Sequence, residues 1–121
     1  MESQSKDLTG LWHGLYSYGF ALHGDHVNFV ATIDQAGETI SGTIEEPGAL
    51  SDFTGSVSGT AVQFTKTYRG AHSVDYRGQL STDDSEIEGL WRLPGGMTGP
   101  FLMIRAPKAT VSVEQQVHEK V

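Results

Sequence analysis

The chain has 121 residues, a formal net charge of −7 and no cysteine. That length fits one domain with a core of its own, the acidic balance excludes the basic stripe of a nucleic-acid binder, and the missing thiols exclude disulfides and thiolate metal sites. No apolar run approaches the roughly 18 residues of a transmembrane helix, and residues 1–7 are too polar for a signal peptide, so the sequence predicts a soluble, cytoplasmic protein without membrane or nucleic-acid partners.

Residues 1–7 read as a flexible leader. A first strand is expected over residues 8–18, with Gly10, Trp12, Gly14, Tyr16 and Tyr18 on one face. After a turn at His23-Gly24-Asp25, residues 26–33 alternate Val27, Phe29, Ala31 and Ile33 against polar positions. Asp34-Gln35-Ala36-Gly37 supplies the next turn. A third strand is expected over residues 39–44. Glu45-Glu46-Pro47-Gly48 then breaks pairing, because Pro47 has no backbone donor. Residues 52–58 place Phe53, Gly55 and Val57 together. The clearest alternation follows: Val62, Phe64, Lys66 and Tyr68 against Gln63, Thr65, Thr67 and Arg69. Residues 73–80 present Val74, Tyr76 and Leu80. Thr82-Asp83-Asp84-Ser85 is a turn of residues that bond their own backbone. Ile87, Gly89, Trp91 and Leu93 mark a seventh strand, and residues 99–105 an eighth.

Eight short alternating runs divided by turn residues predict an antiparallel sheet. Eight is also the number that closes into a small barrel. Glycines inside the runs (Gly10, Gly14, Gly42, Gly55, Gly78, Gly89) permit the bends that closure requires. The expected fold is therefore all-β, a single eight-stranded antiparallel up-and-down β-barrel over residues 8–105. Residues 106–121 form a C-terminal tail in which Ser112 is able to cap a short helix.

The candidate chemistry is sparse. Lys66 shares a face with Phe64 and Tyr68, so an inward-facing ammonium would stand among aromatics, suited to a carboxylate or a carbonyl. Tyr16, Tyr18, Tyr68 and Tyr76 with Trp12, Trp91 and Phe64 would make an aromatic interior, which suits a flat or apolar ligand and equally suits a solid core. His23 and His26 flank Asp25 in what reads as an exposed loop, short of the ligands that a metal site needs. His72 and Asp75 are close enough in sequence to pair. No nucleophile motif and no phosphate loop is present, and no cofactor or metal is expected.

Gly10-Leu11-Trp12 resembles the Gly-x-Trp opening of the calycins, which include lipocalins, fatty-acid-binding proteins and avidins. Within them Tyr68-Arg69-Gly70-Ala71-His72-Ser73, followed by Gly78-Gln79, resembles a stretch of the avidin family. Leu8-Thr9-Gly10-Leu11-Trp12, Ile40-Ser41-Gly42-Thr43 and residues 87–91 resemble its first, third and seventh strands. The resemblance implies the same barrel, closed at its base by a stack of Trp12 on Arg105. It also implies that biotin is not the ligand. The positions of the family's polar biotin contacts hold Gly14, Tyr18 and Ile44, and residues 101–105 offer no Asp. Of the aromatic walls Trp91 is kept, while Phe64 and Tyr76 stand where tryptophans would be. The opening residues 12–18 and the closing run 99–105 also resemble a set of uncharacterised bacterial proteins, a likeness that carries no activity.

These readings converge on a barrel holding a small apolar or aromatic ligand, anionic or neutral, lined by Lys66, Tyr68, Tyr16, Tyr76, Phe64 and Trp91. Two alternatives stand beside it. One is a cofactor-free enzyme, an isomerase, cyclase or hydrolase working at a barrel end. The other is a filled barrel acting as an oligomerisation or interaction module. Leu11, Leu15, Val30, Leu90, Leu102 and Ile104 alternate with the lumenal positions and would leave apolar surface outside, from which a homodimer or homotetramer is expected.

Overall fold

In the computed structural model of the protein, which describes residues 6–18, 25–68 and 72–106, every regular element is a β-strand. The strands are β1 (Gly10–Ser17), β2 (His26–Ala36), β3 (Thr39–Glu46), β4 (Ala49–Ser58), β5 (Ala61–Tyr68), β6 (Ser73–Leu80), β7 (Glu86–Arg92) and β8 (Thr98–Arg105). Each pairs antiparallel with the next, and β8 returns to pair with β1, with Trp12 opposite Arg105 and Tyr16 opposite Phe101. The barrel is therefore closed and up-and-down, and each of the eight described strands is paired on both sides.

The period-two pattern sets what lies inside. Phe29, Ala31 and Ile33 of β2, Val62 and Phe64 of β5, and Phe101 and Met103 of β8 are buried, as are Ile40, Ile44, Phe53, Val57, Val74, Tyr76, Leu80, Ile87 and Trp91. Aromatic rings fill the middle. Phe64 stacks on Tyr76 with centroids 4.7 Å apart and planes 8° from parallel. Phe53 packs on Phe64 at 5.1 Å, and Phe101 meets Tyr76 edge-on at 5.0 Å. Offset and edge-to-face contacts of this kind add to the gain from burial alone.

Two turns differ from the sequence reading. The β2–β3 turn is only Gly37 and Glu38, and β2 runs on to Ala36, paired with Thr39. Gly37 takes a positive φ of 64°, as a two-residue hairpin turn demands. Gln35, expected in the turn, stays in the strand and fastens the N-terminal segment. Its side chain accepts from the Leu8 amide at 2.8 Å and donates to the Lys6 carbonyl at 2.7 Å. Likewise Glu45 and Glu46 belong to β3, opposite Leu50 and Ala49. Only Pro47 and Gly48 make the turn there, because a missing donor at residue 47 removes no bond from residues 45 and 46.

The strand glycines sit where backbones approach closely. A Cβ on Gly42 would strike the Thr32 carbonyl oxygen, and one on Gly89 would strike that of Arg77. The expected loop residues His23, Arg69, Gly70 and Ala71, and the tail at residues 107–121, lie outside the described residues.

Candidate functional site

The two ends of the barrel are built differently. At the end where β1 begins and β8 finishes, Leu8 and Trp12 are completely buried. The Trp12 indole N–H donates to the Leu8 carbonyl at 2.9 Å, and the Arg105 guanidinium lies 4.6 Å from the Trp12 ring. Arg105 donates further to the carbonyls of Asp84 at 3.1 Å and Asp7 at 3.0 Å. The stack implied by the calycin resemblance is present, as a cation–π contact worth ~0.5–2 kcal/mol. Two of the Arg105 nitrogens bond backbone carbonyls and the guanidinium sits over the Trp12 ring, so this end is a structural plug.

The opposite end carries the polar chemistry. Lys66, inward on β5, has no exposed surface. Its ammonium sits 3.1 Å from Oε1 of Glu46, the last residue of β3. The hydroxyls of Tyr16 on β1 and Tyr68 on β5 both donate to Oε2 of the same carboxylate at 3.0 Å. The ammonium also faces three rings, at 4.6 Å from the centroid of Tyr68, 4.7 Å from Tyr16 and 5.4 Å from Tyr76. β1 and β5 are four places apart in a closed ring of eight strands, so they are opposite walls. The donors therefore converge on a carboxylate held between the walls.

Burial governs the electrostatics. Loss of water pulls Lys66 below its ordinary value of 10.5, and the Glu46 carboxylate opposes that fall. Desolvation holds the Tyr16 and Tyr76 hydroxyls far above the ordinary tyrosine value, and Tyr68 is pushed up to about 12 by burial and by Glu46. All three are protonated near neutral pH, and Tyr16 and Tyr68 act as donors rather than bases.

Of the six residues read from the sequence, three meet at one point: Lys66, Tyr16 and Tyr68. Tyr76 lies beneath them as a ring against the ammonium. Phe64 is deeper, locked between Phe53, Tyr76 and Phe101. Trp91 approaches Tyr16 edge-on at 6.2 Å and donates its indole N–H to the Ser17 carbonyl at 2.9 Å. Tyr18, expected inside, is 57% exposed. The alternation lapses there because β1 ends at Ser17, itself buried with its hydroxyl on the Asp25 carbonyl at 3.2 Å. The Tyr18 ring still packs edge-on against Tyr16 and Trp91, at 5.8 Å each. His72 packs on the Tyr68 ring at 4.9 Å, while Asp75 accepts from the Thr65 hydroxyl at 2.7 Å.

Two members of this end were not singled out from the sequence as site residues. Glu46 read as part of the break in pairing before Pro47, yet Ile40, Gly42, Ile44 and Glu46 continue one inward alternation. Ser51 falls in step with Phe53, Gly55 and Val57. It is completely buried opposite Tyr68 and Ile44, and its hydroxyl has no hydrogen-bond partner among the described residues.

Outside the lumen, a groove of about 1080 Å³ runs along the wall from β4 to β8, past Gln63, Asp75, Arg77, Glu88, Leu90 and Arg92. Its charges alternate in sign, and Lys66, which faces the inside of the barrel, does not line it. Among the described residues no group of three or more His, Asp or Glu is placed to hold a metal ion. No protein-family model matches the chain, and no curated protein matches it. The closed eight-stranded antiparallel barrel is consistent with a calycin-like fold.

Proposed function

We propose that the protein is a small-molecule-binding barrel, avidin-like in its architecture but not in its ligand, and that the site is the polar end around Lys66, Tyr16, Tyr68 and Glu46. The observation that carries this reading is a buried ammonium–carboxylate pair, Lys66 with Glu46, at the end of a lumen whose middle is packed with apolar and aromatic side chains. Burying such a charge has an effective penalty of several kcal/mol, and apolar replacements of a buried pair are often as stable or more so. A core serving only to close the barrel has no need of it.

The ligand is small, apolar or aromatic, and carries an anionic group. Phe64, Tyr76 and Phe101 fill the middle of the barrel, so the ligand occupies the end rather than the whole lumen. Its apolar part meets Tyr18 and the Tyr68–His72 pair; its polar part reaches toward Lys66. Biotin does not fit this end. Phe29 fills the space that a side chain at Gly14 would take, and Ile44 offers no hydrogen bond.

A second reading, an interaction module, rests on the outer wall. Leu11, Leu90 and Ile104 are 40%, 54% and 47% exposed, and Leu15 lies directly opposite Leu102. This apolar stripe over β1, β8 and β7 favours a homodimer or homotetramer. It is compatible with ligand binding at the barrel end.

Native mass spectrometry of freshly purified protein tests the main reading. A small-molecule adduct is expected on the folded wild type, lost on denaturing ionisation and missing from Lys66→Met. A wild type free of adduct while still folded, or an adduct that Lys66→Met retains, would count against the site.

A further inference from the structure

The Glu46 carboxylate has an unusual position among its partners. Tyr16, Lys66 and Tyr68 are held by the middle or end of paired strands on opposite walls. Glu46 is the last residue of β3, beside the Pro47-Gly48 turn, and Gly48 takes a positive φ of 80°. Its side chain is 8% exposed against 1% for Lys66, so the carboxylate is the outermost member of the pair. Glu46 ends β3 as Tyr68 ends β5, so what distinguishes this occupant from Lys66 in the receptor around it is its greater exposure and a side chain with three rotatable bonds.

The receptor also has a fixed preference. One ammonium and two hydroxyls, all donors, converge on the two oxygens of one carboxylate. An incoming carboxylate replaces like with like: Lys66 stays paired, both tyrosine donors stay satisfied, and Glu46 swings into water. A neutral or cationic ligand that displaced Glu46 would leave the buried ammonium unpaired. The unpartnered, fully buried Ser51 hydroxyl lies on the same inner face, opposite Tyr68 and one inward step from Glu46 and Lys66 across the sheet. Buried polar atoms without partners are few in folded proteins and call for a partner such as a ligand or an ordered water. Glu46 leaves this hydroxyl unused.

We propose that Glu46 is a built-in stand-in for the ligand, and that the protein binds a small monocarboxylate in its place on Lys66, Tyr16 and Tyr68. A ligand with a hydroxyl beside its carboxylate gains a further bond from Ser51. This rests on the ligand-binding reading above and names its ligand class and gate.

Calorimetric titration with phenylacetate, mandelate and phenylacetamide tests it, on the wild type and on Glu46→Ala, Lys66→Met and Ser51→Ala. The wild type should bind both carboxylates saturably and the amide not at all. Glu46→Ala should bind phenylacetate at least tenfold more tightly, and Lys66→Met should lose it. Mandelate should exceed phenylacetate in the wild type, and Ser51→Ala should erase that advantage. Should Glu46→Ala fold poorly, Glu46→Gln, which keeps an acceptor for the tyrosines but drops the charge, should show a smaller gain of the same sign. Equal binding by wild type and both Glu46 variants, or no binding by the wild type, would overturn the proposal. So would equal binding of the amide. An adduct in the native spectrum that Lys66→Met loses would then leave the ligand-binding reading standing without this one.

Discussion

An ammonium with no exposed surface depends wholly on its partners, and Lys66 has one carboxylate and three aromatic faces. Breaking a buried pair by removing one member costs about 3–5 kcal/mol, whereas replacing both members is often neutral. Lys66→Met should fall at the low end of that range, because Glu46 is able to turn toward solvent. Glu46→Ala should fall at the high end, because Lys66 has nowhere to go. The double variant Lys66→Met, Glu46→Leu should recover most of the loss, and urea denaturation of wild type, the double variant and the singles Lys66→Met and Glu46→Leu closes the cycle. The tyrosines make a separate prediction. Tyr16, Tyr68 and Tyr76 have raised values in the folded chain, so the unfolded chain releases their protons first as pH rises. Stability is therefore intact below about pH 10 and falls above it, by up to about 1.4 kcal/mol per pH unit for each tyrosine. In an absorbance titration the phenolate signals of Tyr16 and Tyr76 should rise with unfolding, and that of Tyr68 ahead of them.

At the scale of the strand, closure depends on backbones that come closer than side chains permit. Gly42→Ala would set its methyl against the Thr32 carbonyl and part β2 from β3, and Gly89→Ala would do the same to β6 and β7 at Arg77. Each should cost about 3 kcal/mol or more. Gly95→Ala, where a Cβ meets nothing within 4 Å, should stay within about 0.5 kcal/mol of wild type by the same denaturation measurement. The strands were legible because a two-residue period survives every turn: Val62, Phe64, Lys66 and Tyr68 all point inward, as their alternation predicts. Glu46 was not legible in the same way. Its charge beside Pro47 reads as a turn, and its reason for being inside is Lys66, 20 residues away in sequence. Ser51 was missed for a similar reason, since a lone serine at a strand start gives no sign that its neighbours are a lysine and a tyrosine on other strands. Tyr18 failed in the opposite direction: the alternation continues in sequence after the strand has ended.

The whole molecule is a barrel with one plugged end, one polar end and an apolar outer stripe. Trp12 and Arg105 close the first, Lys66 and Glu46 occupy the second, and Leu11, Leu15, Leu90, Leu102 and Ile104 form the third. The stripe predicts self-association. Leu90→Glu with Ile104→Glu should shift the sedimentation of the protein toward the monomer without unfolding it, and an unchanged sedimentation coefficient would remove the stripe from the account. The polar end carries the central claim, that the buried charge is there to hold a ligand. A thermal-shift screen of small organic acids and their neutral amides tests it most directly, run side by side on wild type, Lys66→Met and the outer-wall variant Thr54→Ala. The account predicts acids that raise the melting temperature of wild type and Thr54→Ala and leave Lys66→Met unmoved. Shifts that survive in Lys66→Met, or a wild type that no acid stabilises, would contradict it.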